Sequence, residues 1–316
     1  MRYWRVKVPV SFLWLYLLVG FVSPALLLAQ DSVGSARTNL PHSFVCGDYT
    51  GGRVLKVSAQ NQIVWEAPAE HCNDLWALTN GNILFTTGTG VTEMTPQGKT
   101  VFRYDSQGSV YACQRLADGN TFVGECDLAR LVIVNPEGKV VRTVNLLPDG
   151  ARGDAGFMRN ARCLTNGHFL VAHYKGKVVA EYDESGKKVW EVPVRGGPHS
   201  AIRLANGDTL VTVADSAKNP GVVEFNPAGE VVWRISNADI PGAPLKFISG
   251  VHRLVNGNTV FCNWLGHGQL GKAPHLFEVT PEKKVVWTYE NPAMQALGTV
   301  QVTDEGENVV GGTVAH

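Results

Sequence analysis

The residues with the clearest capacity for chemistry in this sequence stand at one fixed distance from a recurring leucine. Five residues before Leu78, Leu116, Leu164, Leu204 and Leu254 lie Asn73, Tyr111, Arg159, His199 and Ser249, and one step later come Asp74, Ala112, Asn160, Ser200 and Gly250. The leucines repeat; these positions diverge. A scaffold position repeats because geometry demands it, so a divergent polar set marks either a wet channel or a place where ligands are met. His199, next to Ser200, can serve as general base or nucleophile near neutral pH. Arg159, close to Arg152 and Arg162, can offer a guanidinium fork to a carboxylate, sulfate or phosphate. Glu125, Asp127 and Asp215 follow apolar stretches and can orient a histidine or take sugar hydroxyls. Tyr111, Tyr174 and Trp264 supply rings for stacking on a sugar or an aromatic ligand.

His71, His173, His199, His267, His275 and His316 fall together on one side of the repeat, but none forms a short ligand pair such as HxH, so no metal site is expected. His168 lies in an Asn-Gly turn and is expected in solvent, and His252 lies in mid-strand, where a structural role is expected. The candidate site is His199 and Arg159 for any catalysis, with Asn73, Asp74, Tyr111, Glu125, Asn160, His173, Ser249 and Trp264 as ligand contacts. No cofactor is called for.

The elements that must position these residues are short strands. "LTNGN" at 78–82 returns as "LADGN" at 116–120, "LTNGH" at 164–168, "LANGD" at 204–208 and "LVNGN" at 254–258. Each sits between apolar-alternating stretches, which makes a hairpin around a dipeptide that favours a type I′ turn. A second hairpin follows, with Pro or Gly in its loop, as in "GVVEFNPAGEVVWRI" at 221–235, and six such hairpins can be found along the chain. No convincing helical period runs over three turns. A period near 40 residues built from four strands is the mark of a β-propeller blade. The blade sheets cannot bury both faces alone and must stack around an axis. Trp65, Trp190, Trp233 and Trp287 share one position in the fourth strand, where the other copies have Phe102 and Arg142, and a large ring there is expected to wedge between blades.

The first second-type hairpin lacks a motif strand before it, and the C-terminal "LGTVQVT" supplies a motif-like strand with nothing after it. The two ends are therefore expected to complete one blade together, giving an all-β, six-bladed propeller of four-stranded antiparallel sheets. With strands lettered A to D from the axis outward, the A–B and C–D turns fall on one rim. The B–C loops and the D–A connections between blades fall on the other, and they hold nearly all the length variation. Loop variation on a rigid scaffold is where binding residues collect, so the site is expected at that rim, at the channel mouth.

Arg2, Arg5 and Lys7 precede an uncharged run from Ser11 to Gln30, the layout of a secretory signal peptide. The expected division is a signal peptide at 1–29, a flexible lead-in at 30–41 and a single propeller domain at 42–316. Export to the periplasm or the extracellular space follows, with no stable membrane insertion after cleavage; retention of the segment as an anchor is the alternative. Without the leader, 25 Lys and Arg face 28 Asp and Glu, and no basic run marks a nucleic-acid partner. Six cysteines without a CxxC pair read as small buried residues, with one or two disulfides as the alternative.

"HSAIRLANGDTLVTV" followed by "GVVEFNPAGEVVWRI" resembles the repeats of arylsulfotransferase-like and pyrroloquinoline-quinone-dehydrogenase-like (PQQ-like) propellers, which share a GxxxW fourth strand. The arylsulfotransferase resemblance implies a six-bladed periplasmic protein in which a channel-mouth histidine takes the sulfuryl group, helped by further His and Arg residues. Only His199 matches that histidine, and Asn73, Tyr111 and Ser249 depart from a multi-histidine constellation. The quinone dehydrogenases are similar to an eight-bladed arrangement with adjacent cysteines, which this chain lacks. The expected function is binding of a small polar or anionic ligand, such as a carbohydrate, at the loop-rich rim. The alternatives are a periplasmic sulfuryl transferase or a polysaccharide lyase or hydrolase using His199 and Arg159, and a protein-interaction scaffold.

Overall fold

The computed structural model describes residues 42–214, 220–242, 244–266 and 272–303, and the backbone of 309–310 and 313–314. They belong to one unit, Thr38–His316. The expected signal peptide (1–29), the lead-in (30–41), Asp215, His267 and His316 lie outside the described residues.

Six four-stranded antiparallel sheets form the blades. Blade 1 holds β1 (Phe44–Asp48), β2 (Arg53–Val57) and β3 (Ile63–Pro68); blade 2 holds β4 (Leu75–Ala77), β5 (Ile83–Thr86), β6 (Gly90–Met94) and β7 (Thr100–Asp105). Blade 3 holds β8 (Val110–Arg115), β9 (Thr121–Glu125), β10 (Arg130–Val134) and β11 (Val140–Asn145). Blade 4 holds β12 (Asn160–Cys163), β13 (Phe169–His173), β14 (Val178–Tyr182) and β15 (Lys188–Pro193). Blade 5 holds β16 (Pro198–Arg203), β17 (Thr209–Val213), β18 (Gly221–Phe225) and β19 (Val231–Ser236). Blade 6 holds β20 (Ile248–Arg253), β21 (Thr259–Asn263), β22 (Leu276–Val279) and β23 (Val285–Tyr289), and β24 (Leu297–Val302) returns to become strand A of blade 1. The expected closure by the two ends is what the chain does, with Phe44 opposite Val302.

Burial explains the strand order. The B strands β9, β13, β17 and β21 are buried at every residue, whereas the D strands alternate, with Val64, Val141 and Val232 more than half exposed. Apolar residues from adjacent blades fuse into clusters between sheets; Phe122 of blade 3 and Phe169 of blade 4, for instance, stack at 5.6 Å. The blades therefore stabilise one another rather than themselves.

The turns differ from expectation. Leu78 N–H bonds Asn82 O, Gly81 N–H bonds Leu78 O, and Gly81 alone has positive φ (84°), as do Gly119, Gly167, Gly207 and Gly257 in the other copies. This is a type I turn closed by a glycine bulge, not type I′, which needs positive φ at both central residues. The preceding Asn or Asp accepts the N–H two residues on, as Asn206 Oδ1 does from Asp208 at 3.0 Å. That bond explains why the position is Asn or Asp in every copy.

The D-strand aromatics work between blades as expected. Trp190 and Trp233 donate their indole N–H to Pro227 O (3.0 Å) and Pro281 O (2.7 Å), each in the C–D turn of the next blade. Over the same rings sit arginines from the next A strand: Arg115 over Phe102, Arg203 over Trp190 and Arg253 over Trp233, at 4.8, 4.7 and 5.7 Å. Each also pairs with the C-strand glutamate beside the ring: Glu93, Glu181 and Glu224. At the closing junction His42 takes the arginine's place, 2.9 Å from Glu278 and edge-on to Trp287. His168 is a correction, because its Nδ1 lies 2.7 Å from Glu181 rather than free in solvent.

All six cysteines are free thiols, and all but Cys163 are buried. Burial pushes the Cys72 thiol up to about 12.

Candidate functional site

Tyr111, His199 and Ser249 are carried by breaks in strand A, while Asn73 and Arg159 stand just ahead of it. Tyr111 is an extra residue between the Val110–Glu125 and Ala112–Gly124 pairs, and His199 is the extra residue between Pro198–Val213 and Ser200–Thr212. Gly298 is the matching residue in β24, and the register of β20 breaks at Ser249 and Gly250. In blade 4, Arg159 N–H and the partnered Asn160 share Ala172. A bulge at the same place in strand after strand re-aims a side chain out of the sheet, here toward the axis.

Asn73, Arg159, His199, Ser249 and Gly298 line one cup of about 210 Å³ together with Tyr49, Tyr174, Phe247 and Trp264. Arg159 joins Tyr111 to this group, its guanidinium lying 4.8 Å from the Tyr111 ring and 5.2 Å from Tyr174. Its Nε is buried without a hydrogen-bond partner, and no carboxylate among the described residues lies within ion-pair reach of it. Gly197 makes this sandwich possible, since a Cβ there would lie 2.4 Å from the Tyr174 ring. Around the cup the rings meet edge to face: Tyr49 and Trp264 at 5.9 Å, Trp264 and Phe247 at 4.8 Å, Phe247 and His199 at 5.5 Å. Burial first, and the Arg159 charge second, pull the His199 imidazole down to about 3, so it is neutral at ordinary pH.

Beneath the cup the channel is closed. Arg162 of blade 4 reaches past blade 3 to Asp74 of blade 2 in a two-pronged ion pair, Nη1 to Oδ2 at 2.7 Å and Nη2 to Oδ1 at 2.9 Å. Asp74 also accepts the Cys113 N–H at 2.9 Å. Both side chains are buried, and Asn160 lies in the same layer. Next to this layer, residues of strand A hold the backbone of the following blade. Gln301 Oε1 accepts from Ala77, Gln114 Oε1 from Cys163, and His252 Nδ1 from Val302 at 3.0 Å. This is the structural role expected for His252, whose burial lowers it to about 3.

Several expected contacts sit elsewhere. Glu125 and His173 each end a B strand, and each fastens the connection arriving from the previous blade. Glu125 accepts from Tyr104 Oη (2.7 Å), Ser106 and Arg130, while His173 donates Nδ1–H to Phe157 O (2.9 Å) and accepts from Tyr182 Oη (2.8 Å). Asp48 and Asn263 do the same at equivalent positions, with Ala296 N–H and with the Pro244–Lys246 backbone. Asp74 is committed to Arg162, and Arg152 to Asp127 at 3.2 Å, so of the three arginines only Arg159 faces the cup. His71 lies beside Tyr49, and His275 is buried against Asn291 O. Among the described residues no three His, Cys, Asp or Glu converge as a metal would require.

Tyr49, Phe247 and Gly298 are the cup residues that the sequence pattern passed over. Tyr49 stands directly after a B strand, as Tyr174 and Trp264 do, and carrying the repeat alignment past strand B finds it. Phe247 sits on the connection between blades 5 and 6, two residues before Ser249 and outside the positions that the repeat comparison aligned. A larger groove of about 1080 Å³ opens on the opposite rim, but its walls are the repeated turns, and Arg115 and Glu93 within it are already paired.

Residues 50–265 match the family model of PQQ-type repeats described as outer membrane protein assembly factor BamB. No curated protein matches the chain. A crystal structure of a protein of unknown function from Bacteroides caccae is similar at 28% identity and TM-score 0.74, over 82% of this chain and 98% of that one. Virginiamycin B lyase from Staphylococcus aureus, in a catalytically inactive form with quinupristin, is similar at 13% identity and TM-score 0.55, over 80% of this chain and 85% of its own. A chain of a nidogen/laminin complex is similar at 13% identity and TM-score 0.57, over 82% and 97%. At those identities the last two share the fold alone.

Proposed function

We propose that this chain, which belongs to the repeat family described as outer membrane protein assembly factor BamB, is an exported propeller that binds a small anionic organic ligand in the cup at its variable rim. One observation carries the reading. Arg159 is held between Tyr111 and Tyr174 at the cup, with no carboxylate of the described residues pairing with it. A guanidinium fixed in place, with Asp154 near enough to feel its charge but no ion pair among the described residues, is prepared for an anion from outside. Export rests on the charged and apolar N-terminal run and agrees with the family's printed description.

A thermal-shift screen of small anions on the purified protein, followed by Arg159→Met on each hit, tests the reading. Stabilisation lost in the variant is the expected result; hits that bind the variant as they bind wild type place the site elsewhere.

A second reading is catalysis of sulfuryl-transfer or lyase type with His199 as nucleophile or base, and the presence of His199 and Arg159 in one cup favours it. Burial and the Arg159 charge make His199 a weak base, and a bound anion would raise its basicity. Turnover of aryl sulfates or uronic-acid polymers that disappears in His199→Ala supports this reading; turnover that survives the change removes His199 from the mechanism.

A further inference from the structure

We infer that the ligand is a flat aromatic carboxylate rather than a sugar or an inorganic anion, an inference that rests on the anion-binding reading of the same cup. Two polar groups of the lining are already used within the protein. Asn73 Nδ2 donates to His71 O at 2.9 Å, Ser249 Oγ donates to Leu297 O at 3.2 Å, and Gly298 brings no side chain. Each sugar hydroxyl buried here without a partner would cost about 1–3 kcal/mol. The walls, by contrast, are rings. Tyr49, Trp264, Phe247 and Tyr174 surround the space, with His199 neutral among them. Rings packed edge to face or offset gain about 0.5–1.5 kcal/mol per pair beyond area burial. An aromatic acid can use both halves of the cup, ring to the walls and carboxylate to Arg159. Sulfate uses only the arginine. The volume of about 210 Å³ is smaller than the ~300–1,000 Å³ of drug-sized sites, which suits one ring and its acid group.

The test is calorimetry on the full chain with four probes: benzoate, cyclohexanecarboxylate, glucuronate and sulfate. Benzoate is expected to bind about tenfold or more tightly than glucuronate and sulfate, the equivalent of two ring contacts. It is also expected to bind several-fold more tightly than its saturated analogue. Phe247→Leu should weaken benzoate several-fold and leave sulfate unchanged, whereas Arg159→Met should weaken both. Glucuronate or sulfate binding as tightly as benzoate, and dependent on Arg159, overturns the aromatic class while leaving the anion site standing. No binding of any probe to wild type overturns both. Phe247→Leu binding benzoate as wild type does, with an unchanged melting temperature, removes the ring wall from recognition.

Discussion

On the rim of the tight turns, glycines at φ 84–89° close five A–B hairpins, and three arginines clamp three glutamates beside three aromatic rings. On the opposite rim the same strands end in Asn73, Tyr111, Arg159, His199, Ser249 and Gly298, no two alike. The strands are common to both rims, so the contrast isolates what each rim is required to do. The turn rim must reproduce one angle between blades six times over. The loop rim is relieved of that duty where strand A bulges in blades 1, 3, 5 and 6, which takes a residue out of the ladder there and frees it from the repeat.

This contrast can be tested by substitution, and the largest effect is expected at the boundary between the two regimes. Asp74→Asn leaves the buried Arg162 without its counter-charge and should cost about 3–5 kcal/mol in urea unfolding. An unchanged midpoint would mean that the floor of the cup is not a structural element. On the turn rim, Trp233→Ala removes the ring beneath Arg253 and the bond to Pro281 O. A loss of about 3 kcal/mol is expected with ligand affinity unaltered, and an altered affinity would show the rims to be coupled.

Acid acts on both regions. His199 and His252 are each pulled to about 3 in the folded chain, below the ordinary value near 6.5. Between those values the unfolded chain binds protons that the folded chain refuses, so stability is full above about pH 6.5 and falls as pH is lowered toward 3. At pH 5 the loss should be about 2 kcal/mol per histidine. His252→Gln, which keeps an acceptor for the Val302 N–H, should flatten the pH dependence of the melting temperature; an unchanged slope would contradict the assignment.

Smaller effects complete the series. Gly207→Ala forces a side chain into positive φ and should cost about 1 kcal/mol. Arg159→Met relieves a buried Nε that lacks a partner but gives up two ring contacts. Its stability should stay within about 0.5 kcal/mol of wild type while ligand binding is lost. That pair of outcomes, one residue neutral to folding and essential to binding, is the sharpest form of the comparison.

The same contrast governs what could be read from the sequence. Repetition made the hairpins, the six blades and the closure by both ends legible, because each is set by contacts between neighbouring strands. It also led to Asn73, Arg159, His199 and Ser249, since divergence shows only against a repeated background. Asp74 and Arg162 could not be paired in advance, because they meet across the axis from blades 2 and 4. Glu125 and His173 were indistinguishable from ligand contacts until the connections they fasten had a path. Asn-Gly suits two kinds of turn, and its own side chain's bond to the N–H two residues on decides between them.

The return of β24 to blade 1 has a consequence in time. Tyr49 and Gly298 face the same cup from opposite ends of the chain, so the cup does not exist until a loop of some 250 residues has closed. Contacts of such sequence separation form late and slowly. On the proposed reading a ligand meets only finished molecules, and its binding would double as a clock that records when the last strand has found its place.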